Sequence, residues 1–82
     1  MSQVEKLINR LLSKPKDFTY DELKQILNYF GFYEYNKGKT SGSRVSFVNH
    51  DNIKFELHKP HPTNVLKPYV VNKLIEFVYR RR

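Results

Sequence analysis

The 82-residue chain contains no cysteine. A disulfide-stapled scaffold, a thiol nucleophile and a zinc site with cysteine ligands are therefore excluded. Its longest apolar run is also far shorter than the ~18 residues that a membrane-spanning helix needs. Glu5, Lys6 and Arg10 interrupt residues 1–10, so we expect no signal-peptide core there. These absences predict a soluble cytoplasmic protein that does not contact a membrane.

Acidic residues are scarce. Eight Asp and Glu stand against fifteen Lys and Arg, for a net charge of +7, and 39% of the residues are hydrophobic. The chain is therefore apolar enough to fold as one small domain and basic enough to favour a polyanionic partner. Residues 42–82 carry eight basic and three acidic side chains, so the C-terminal half is the predicted polyanion-facing half. Arg80, Arg81 and Arg82 are expected to form a frayed tail that only adds positive charge.

Helical spacing of apolar residues predicts an accessory helix over residues 3–13, ahead of a single domain core over residues 18–79. Thr19 and Glu22 form the S/T-x-x-E pattern of a capping box, which predicts the start of a second helix. Gly31 suits the position after its end. Pro68 suits the first turn of a last helix over residues 68–79.

Two alternating segments, residues 44–49 and 53–58, predict a β-hairpin. Their apolar residues share one face only if Phe47 lies opposite Phe55, which leaves a three-residue loop ending at Asn52 in a left-handed conformation. The apolar set on that face is Val45, Phe47, Ile53, Phe55 and Leu57. The other face then pairs Arg44 with His58, Ser46 with Glu56, and Val48 with Lys54.

The element order α-α-β-β-β-α predicts an α+β fold, a two-layer sandwich of helices on one face of a three-stranded antiparallel sheet. A third strand is expected within residues 32–36. The aromatic residues outside the core pattern could stack nucleic-acid bases, but we expect them to pack at the edges of the core with their hydroxyls in water. They are Tyr29, Tyr33, Tyr35 and Tyr69.

The segment Gly38-Lys39-Thr40 is not a nucleotide-binding P-loop, because Tyr33 stands where the first glycine of that motif is required. The surrounding loop, residues 37–42, could instead bind one phosphate through backbone amides, or be a plain hairpin tip.

His58 and His61 lie close together in the sequence and follow the strand that faces Arg44. Metal-free RNA cleavage needs a base for the 2′-hydroxyl, an acid for the leaving 5′-oxygen and a cation for the developing phosphorane charge. These three residues supply those types. The structural alternative is that His61 occupies a rigid Pro-His-Pro corner and His58 ends a strand. A zinc site is less favoured, because only Glu56 is near enough in the sequence to be a third ligand.

The motifs together resemble one family. Gly42-Ser43-Arg44-Val45-Ser46-Phe47, a following strand, His58-Lys59-Pro60-His61-Pro62 and a short C-terminal helix resemble the HicA toxins of toxin–antitoxin modules. The resemblance implies a fold similar to a double-stranded-RNA-binding domain (dsRBD), α-β-β-β-α, and an mRNA interferase activity without metal or cofactor. It also implies a HicB-like antitoxin as partner, so that the toxin would be a monomer alone or part of a complex with its antitoxin.

The family's usual Gly-Ser-His pattern places a catalytic histidine where Arg44 stands. Arginine can stabilise negative charge but does not accept a proton. The base could therefore be His58 or His61, or the protein could bind RNA without cutting it. The residues expected to bind RNA are Lys37, Lys39, Ser43, Lys54 and Lys59.

Overall fold

The computed structural model describes residues 3–35, 44–58, 60 and 63–81. Its elements are the helices α1 (Gln3–Leu12) and α2 (Tyr20–Tyr29), the strands β1 (Tyr33–Tyr35), β2 (Arg44–Val48) and β3 (Lys54–His58), and the helix α3 (Pro68–Arg81). The strands form one antiparallel sheet in the order β1-β2-β3. This architecture confirms the predicted α+β fold, with α1 preceding an α-β-β-β-α core.

The capping box at the start of α2 is present. The Glu22 amide donates to the Thr19 hydroxyl, and the Thr19 amide donates to the Glu22 carboxylate over 2.9 Å. The same carboxylate accepts two hydrogen bonds from the Arg10 guanidinium, at 2.8 and 2.9 Å. One acidic side chain therefore starts α2 and also ties α1 to it. Past the end of α2, Gly31 has φ +87°, the left-handed conformation that favours glycine.

The β2–β3 hairpin has the predicted register, with Phe47 opposite Phe55. Asn52 has φ 64°, and its amide donates to the Asn49 carbonyl to close the turn. The expected burial of Ile53 is wrong, because this side chain is exposed. Ile53 has the parity of the core face but precedes β3, and the side chain lies outside the buried part of the hairpin.

The helices cover one face of the sheet. The ring of Phe77 in α3 packs edge-to-face on Phe55 and Phe32, and Tyr20 of α2 packs near Phe47. Helix α1 adds buried apolar side chains to the same core. The opposite face, which we call the open face, carries the described side chains at positions 33, 35, 44, 46, 48, 54, 56 and 58.

The expectation of a frayed C-terminal tail is wrong for the two arginines that the structure describes. Arg80 and Arg81 belong to α3, and Arg80 pairs with Glu76 one turn earlier over 3.0 Å. The Arg81 guanidinium lies 4.8 Å from the ring centre of Phe77 and 5.0 Å from that of Phe32. A guanidinium over an aromatic face is attracted by the ring quadrupole, so Arg81 covers the rim of the core.

We predict that Thr19→Ala lowers the free energy of unfolding by about 1 kcal/mol, since it removes the hydroxyl that accepts from the helix. A loss of that size corresponds to a drop of roughly 4–8 °C in Tm for a chain of this length. Thermal and urea denaturation would measure it. Thr19→Ser keeps the hydroxyl and should remain close to the parent protein. Equal losses in both variants would contradict the capping role.

Candidate functional site on the open face of the sheet

The open face brings Arg44 and His58 together. Arg44 begins β2, His58 ends β3, and the two are direct cross-strand partners. The Asn49 amide donates to the Ile53 carbonyl, so these two residues form a hydrogen-bonded pair. Hydrogen-bonded and non-hydrogen-bonded pairs alternate along an antiparallel ladder, and Arg44 and His58 are therefore a non-hydrogen-bonded pair. In such pairs the Cα atoms are about 4.5 Å apart and the side chains are close. The guanidinium and the imidazole therefore project from neighbouring points of one surface.

Arg44 is already paired within the protein. Its Nη2 donates to Glu56 Oε1 over 3.3 Å, and 61% of its side chain remains exposed. The other Glu56 oxygen, Oε2, accepts from the Ser46 hydroxyl over 3.2 Å. Glu56 thus holds the arginine on the open face, in a position where a phosphate could replace the carboxylate. The hairpin register predicts that these residues share one face, but it does not predict this diagonal ion pair.

The hydrogen bond from Ser46, followed by the charge of Arg44, lowers the pKa of Glu56 below its ordinary value. The carboxylate is therefore ionised at neutral pH and keeps Arg44 oriented. Because this pKa is lower in the folded than in the unfolded chain, the contribution of Glu56 to stability is present above the unfolded-state pKa. It is lost as the pH falls through the folded-state pKa.

Lys54 begins β3 on the same face, opposite Val48, and is exposed. It adds to the positive potential around Glu56. The other residues predicted to act or to bind RNA lie outside the described residues: Lys37, Lys39, Ser43, Lys59 and His61. Arg44, His58 and Lys54 are thus the predicted site residues that the structure places, and all three share the open face.

The aromatic expectation is wrong for β1. Tyr33 and Tyr35 are 63% and 45% exposed, and their cross-strand partners Val48 and Ser46 place them on the open face. The side chains of Tyr29 and Tyr69 are exposed as well, on the helices.

Metal binding finds no support among the described residues, where no cluster of three or more His, Asp or Glu could hold an ion. His50 lies in the hairpin turn beside Asp51, and its side chain is exposed. In the described parts of the chain, none of the helices is long and apolar enough to cross a membrane.

We predict that Ser46→Ala raises the pKa of Glu56 towards its ordinary value, since the hydroxyl is the largest single cause of the depression. Arg44→Gln should also raise it, because both the charge of Arg44 and its hydrogen bond lower this pKa. Carboxyl-detected NMR titration would measure both values, and Ser13→Ala on the far side of the molecule is the control. A Glu56 pKa that stays unchanged in either variant would contradict this account.

Comparison with known proteins gives one match. The model of the HicA family, described as the HicA toxin of bacterial toxin-antitoxin, matches residues 20–77, from the start of α2 to the last turns of α3. No curated protein and no solved structure matches the chain. The matched segment contains the complete sheet and both helices that directly cover it, and the chain belongs to the HicA family of bacterial toxins.

Proposed function

We propose that this toxin is a metal-independent endoribonuclease that cleaves mRNA on the open face of its sheet. The observation that carries the proposal is the cross-strand pairing of Arg44 with His58 on a face that the helices leave uncovered. Family membership makes the chain a toxin of a toxin–antitoxin module. The pairing supplies a permanent cation and a group that can exchange a proton near neutral pH.

The reaction would be an internal displacement. The 2′-hydroxyl loses its proton to a base and attacks the adjacent phosphorus, which forms a new P–O bond. The bond to the 5′-oxygen breaks, and an acid protonates that oxygen as it leaves. The products are a 2′,3′-cyclic phosphate and a free 5′-hydroxyl, and no water is consumed in this step. A cation beside the phosphorane stabilises the transition state more than the ground state.

We assign to Arg44 the stabilisation of the negative charge that develops on the phosphorane. It cannot act as the base, because its guanidinium does not lose a proton in proteins. A substrate phosphate would compete with Glu56 for the same Nη2 atom, which lies at the exposed surface. The carboxylate thus keeps the arginine extended across the strands before RNA arrives, and exchange of one anion for another requires no large movement.

His58 is our first assignment for the base or acid, since it faces Arg44 directly. His61, from the Pro-His-Pro motif, is the second, and the two would divide the roles. The remaining residues expected to bind RNA would hold neighbouring phosphates: Lys37, Lys39, Ser43, Lys54 and Lys59.

We predict that His58→Ala lowers the cleavage rate by about a hundred-fold or more, the usual loss when a general acid or base is removed. The assay follows a labelled RNA incubated with purified protein in EDTA and identifies the product ends. His50→Ala is the matched control, because His50 is exposed in the turn at the opposite end of β3. A 2′-O-methyl RNA should not be cut at all.

The same assay with His61→Ala tests the second assignment. Cleavage that is unchanged in both His58→Ala and His61→Ala would contradict the mechanism. A parent protein that binds RNA but never cuts it would identify a non-catalytic RNA-binding module instead. Arg44→His would place an imidazole where the family's usual pattern has one, and restored or faster cutting in that variant would show that the arginine has altered the chemistry of this site.

We also propose that a HicB-like antitoxin inhibits the toxin by covering the open face with acidic or polar groups. We predict that crosslinks from the complex map to positions around Arg44 and His58, and that Arg44→Glu weakens the complex by charge repulsion. Arg80→Glu, on α3, is the matched control. Crosslinks confined to the helices would contradict this placement.

A further inference from the structure

In strand β1 the acidic side chain points inward and the two aromatic side chains point outward. Glu34 lies opposite Phe47, a fully buried residue, and therefore points to the face that the helices cover. Its carboxylate pairs with Lys24 of α2 over 3.3 Å. Tyr33 and Tyr35 point the other way, into solvent. An acid thus lies beneath the helices while two large aromatic rings lie outside.

The burial of Phe32 fixes this orientation of the β1 side chains. It immediately precedes β1, is fully buried, and packs on Phe77 with ring centres 5.0 Å apart. Because a strand alternates its side chains, burial of Phe32 directs Tyr33 outwards, Glu34 inwards and Tyr35 outwards again. A one-residue shift would bury the tyrosines but expose Phe32.

Two polar groups of α2 lie near the Glu34 side chain. Besides Lys24, the Tyr20 hydroxyl lies near it. Burial, and then the Glu34 carboxylate, raises the pKa of Tyr20 well above its ordinary value, so this hydroxyl keeps its proton. The protein therefore accommodates the inward acid with polar groups of α2, and the outward tyrosines follow from it.

The two exposed rings are continuous with the site. Tyr35 is the cross-strand partner of Ser46, which in turn faces Glu56. Tyr33 is the partner of Val48, which faces Lys54. Successive rows on one face of a sheet are about 6.5–7 Å apart. The row of Tyr35 is thus adjacent to the row of Arg44 and His58, and the row of Tyr33 is the next one along.

We propose that Tyr33 and Tyr35 form a stacking platform that binds two bases of single-stranded RNA next to the Arg44–His58 pair. The inference rests on the proposed function and specifies its substrate as unpaired RNA. Aromatic rings bind bases of any identity through their faces, and cations beside them bind the connecting phosphates. Bases in a duplex stack about every 3.4 Å and have both faces covered, so they cannot reach rings at the spacing of this strand.

The test measures affinity with an RNA that cannot be cut. The probe is a short fluorescein-labelled 2′-O-methyl oligonucleotide, compared with its duplex and with a strand of the same length that lacks bases. We expect the parent protein to bind the single strand most tightly. Replacing both tyrosines (Tyr33→Leu with Tyr35→Leu) should weaken that binding by about twenty-five-fold or more, since loss of one stacked base costs about five-fold to one-hundred-fold and two are lost.

Two matched variants show whether stacking is the cause. Tyr33→Phe with Tyr35→Phe keeps both rings and should bind as the parent does. Tyr79→Leu removes a tyrosine of comparable exposure from α3 and should have no effect. Binding to the strand without bases should be equal in the parent and in the double leucine variant.

Three results would overturn the platform: undiminished affinity in the double leucine variant, equal affinity of the parent protein for the strand without bases, or tighter binding of the duplex. Each leaves the proposed cleavage standing if the parent protein still cuts RNA in EDTA. A parent protein that neither binds nor cuts RNA would overturn the proposed function together with the platform.

Discussion

Burial of one side of the sheet beneath the helices determines what the other side can do. Phe47 and Phe55 are opposite one another in the β2–β3 hairpin and are almost completely buried. Because side chains alternate along a strand, this apolar pair requires the rows directly beside it, and every second row from there, to face solvent. Arg44 and His58 form one of those solvent-facing rows. A shift of one residue would cost the burial of several large side chains, so the candidate site is as stable as the core itself.

Fewer of the positively charged side chains are available to bind a polyanion than the net charge of the chain suggests. Lys73 donates to the Glu56 carbonyl at the edge of β3, Arg81 lies over two aromatic rings, and Arg10 pairs with acidic groups at the start of α2. Arg44 differs because both it and its acidic partner lie on the open face. An ion pair at the surface contributes little stability, so its carboxylate is easily replaced by another anion.

The elements encoded by local patterns could be predicted from the sequence. Thr19 and Glu22 form the capping-box pattern within four residues. The parity of the apolar residues in the hairpin is compatible with one register, in which Phe47 lies opposite Phe55. The face to which each β1 side chain points could not be predicted, because a strand of three residues is too short for its own pattern to set the phase. That phase comes from the burial of Phe32 and from the pairing of Glu34 with Lys24, which are contacts between distant parts of the chain.

Longer-range contacts also account for the other differences between the predicted and the observed structure. Ile53 has core parity but lies exposed before the start of β3, and Arg81 contacts rings that the sequence does not place beside it. Within the site, residue types and register predicted which groups share a face, whereas the diagonal bond from Arg44 to Glu56 depends on side-chain conformation.

The central claim is that RNA binds to the uncovered face of the sheet. Amide and aromatic chemical-shift mapping with a short, uncleavable single-stranded RNA tests it most directly. We predict the largest shifts at Tyr33, Tyr35, Arg44 and His58, with little change along the outer surfaces of α2 and α3. Shifts confined to those helices, with the sheet unchanged, would contradict the account.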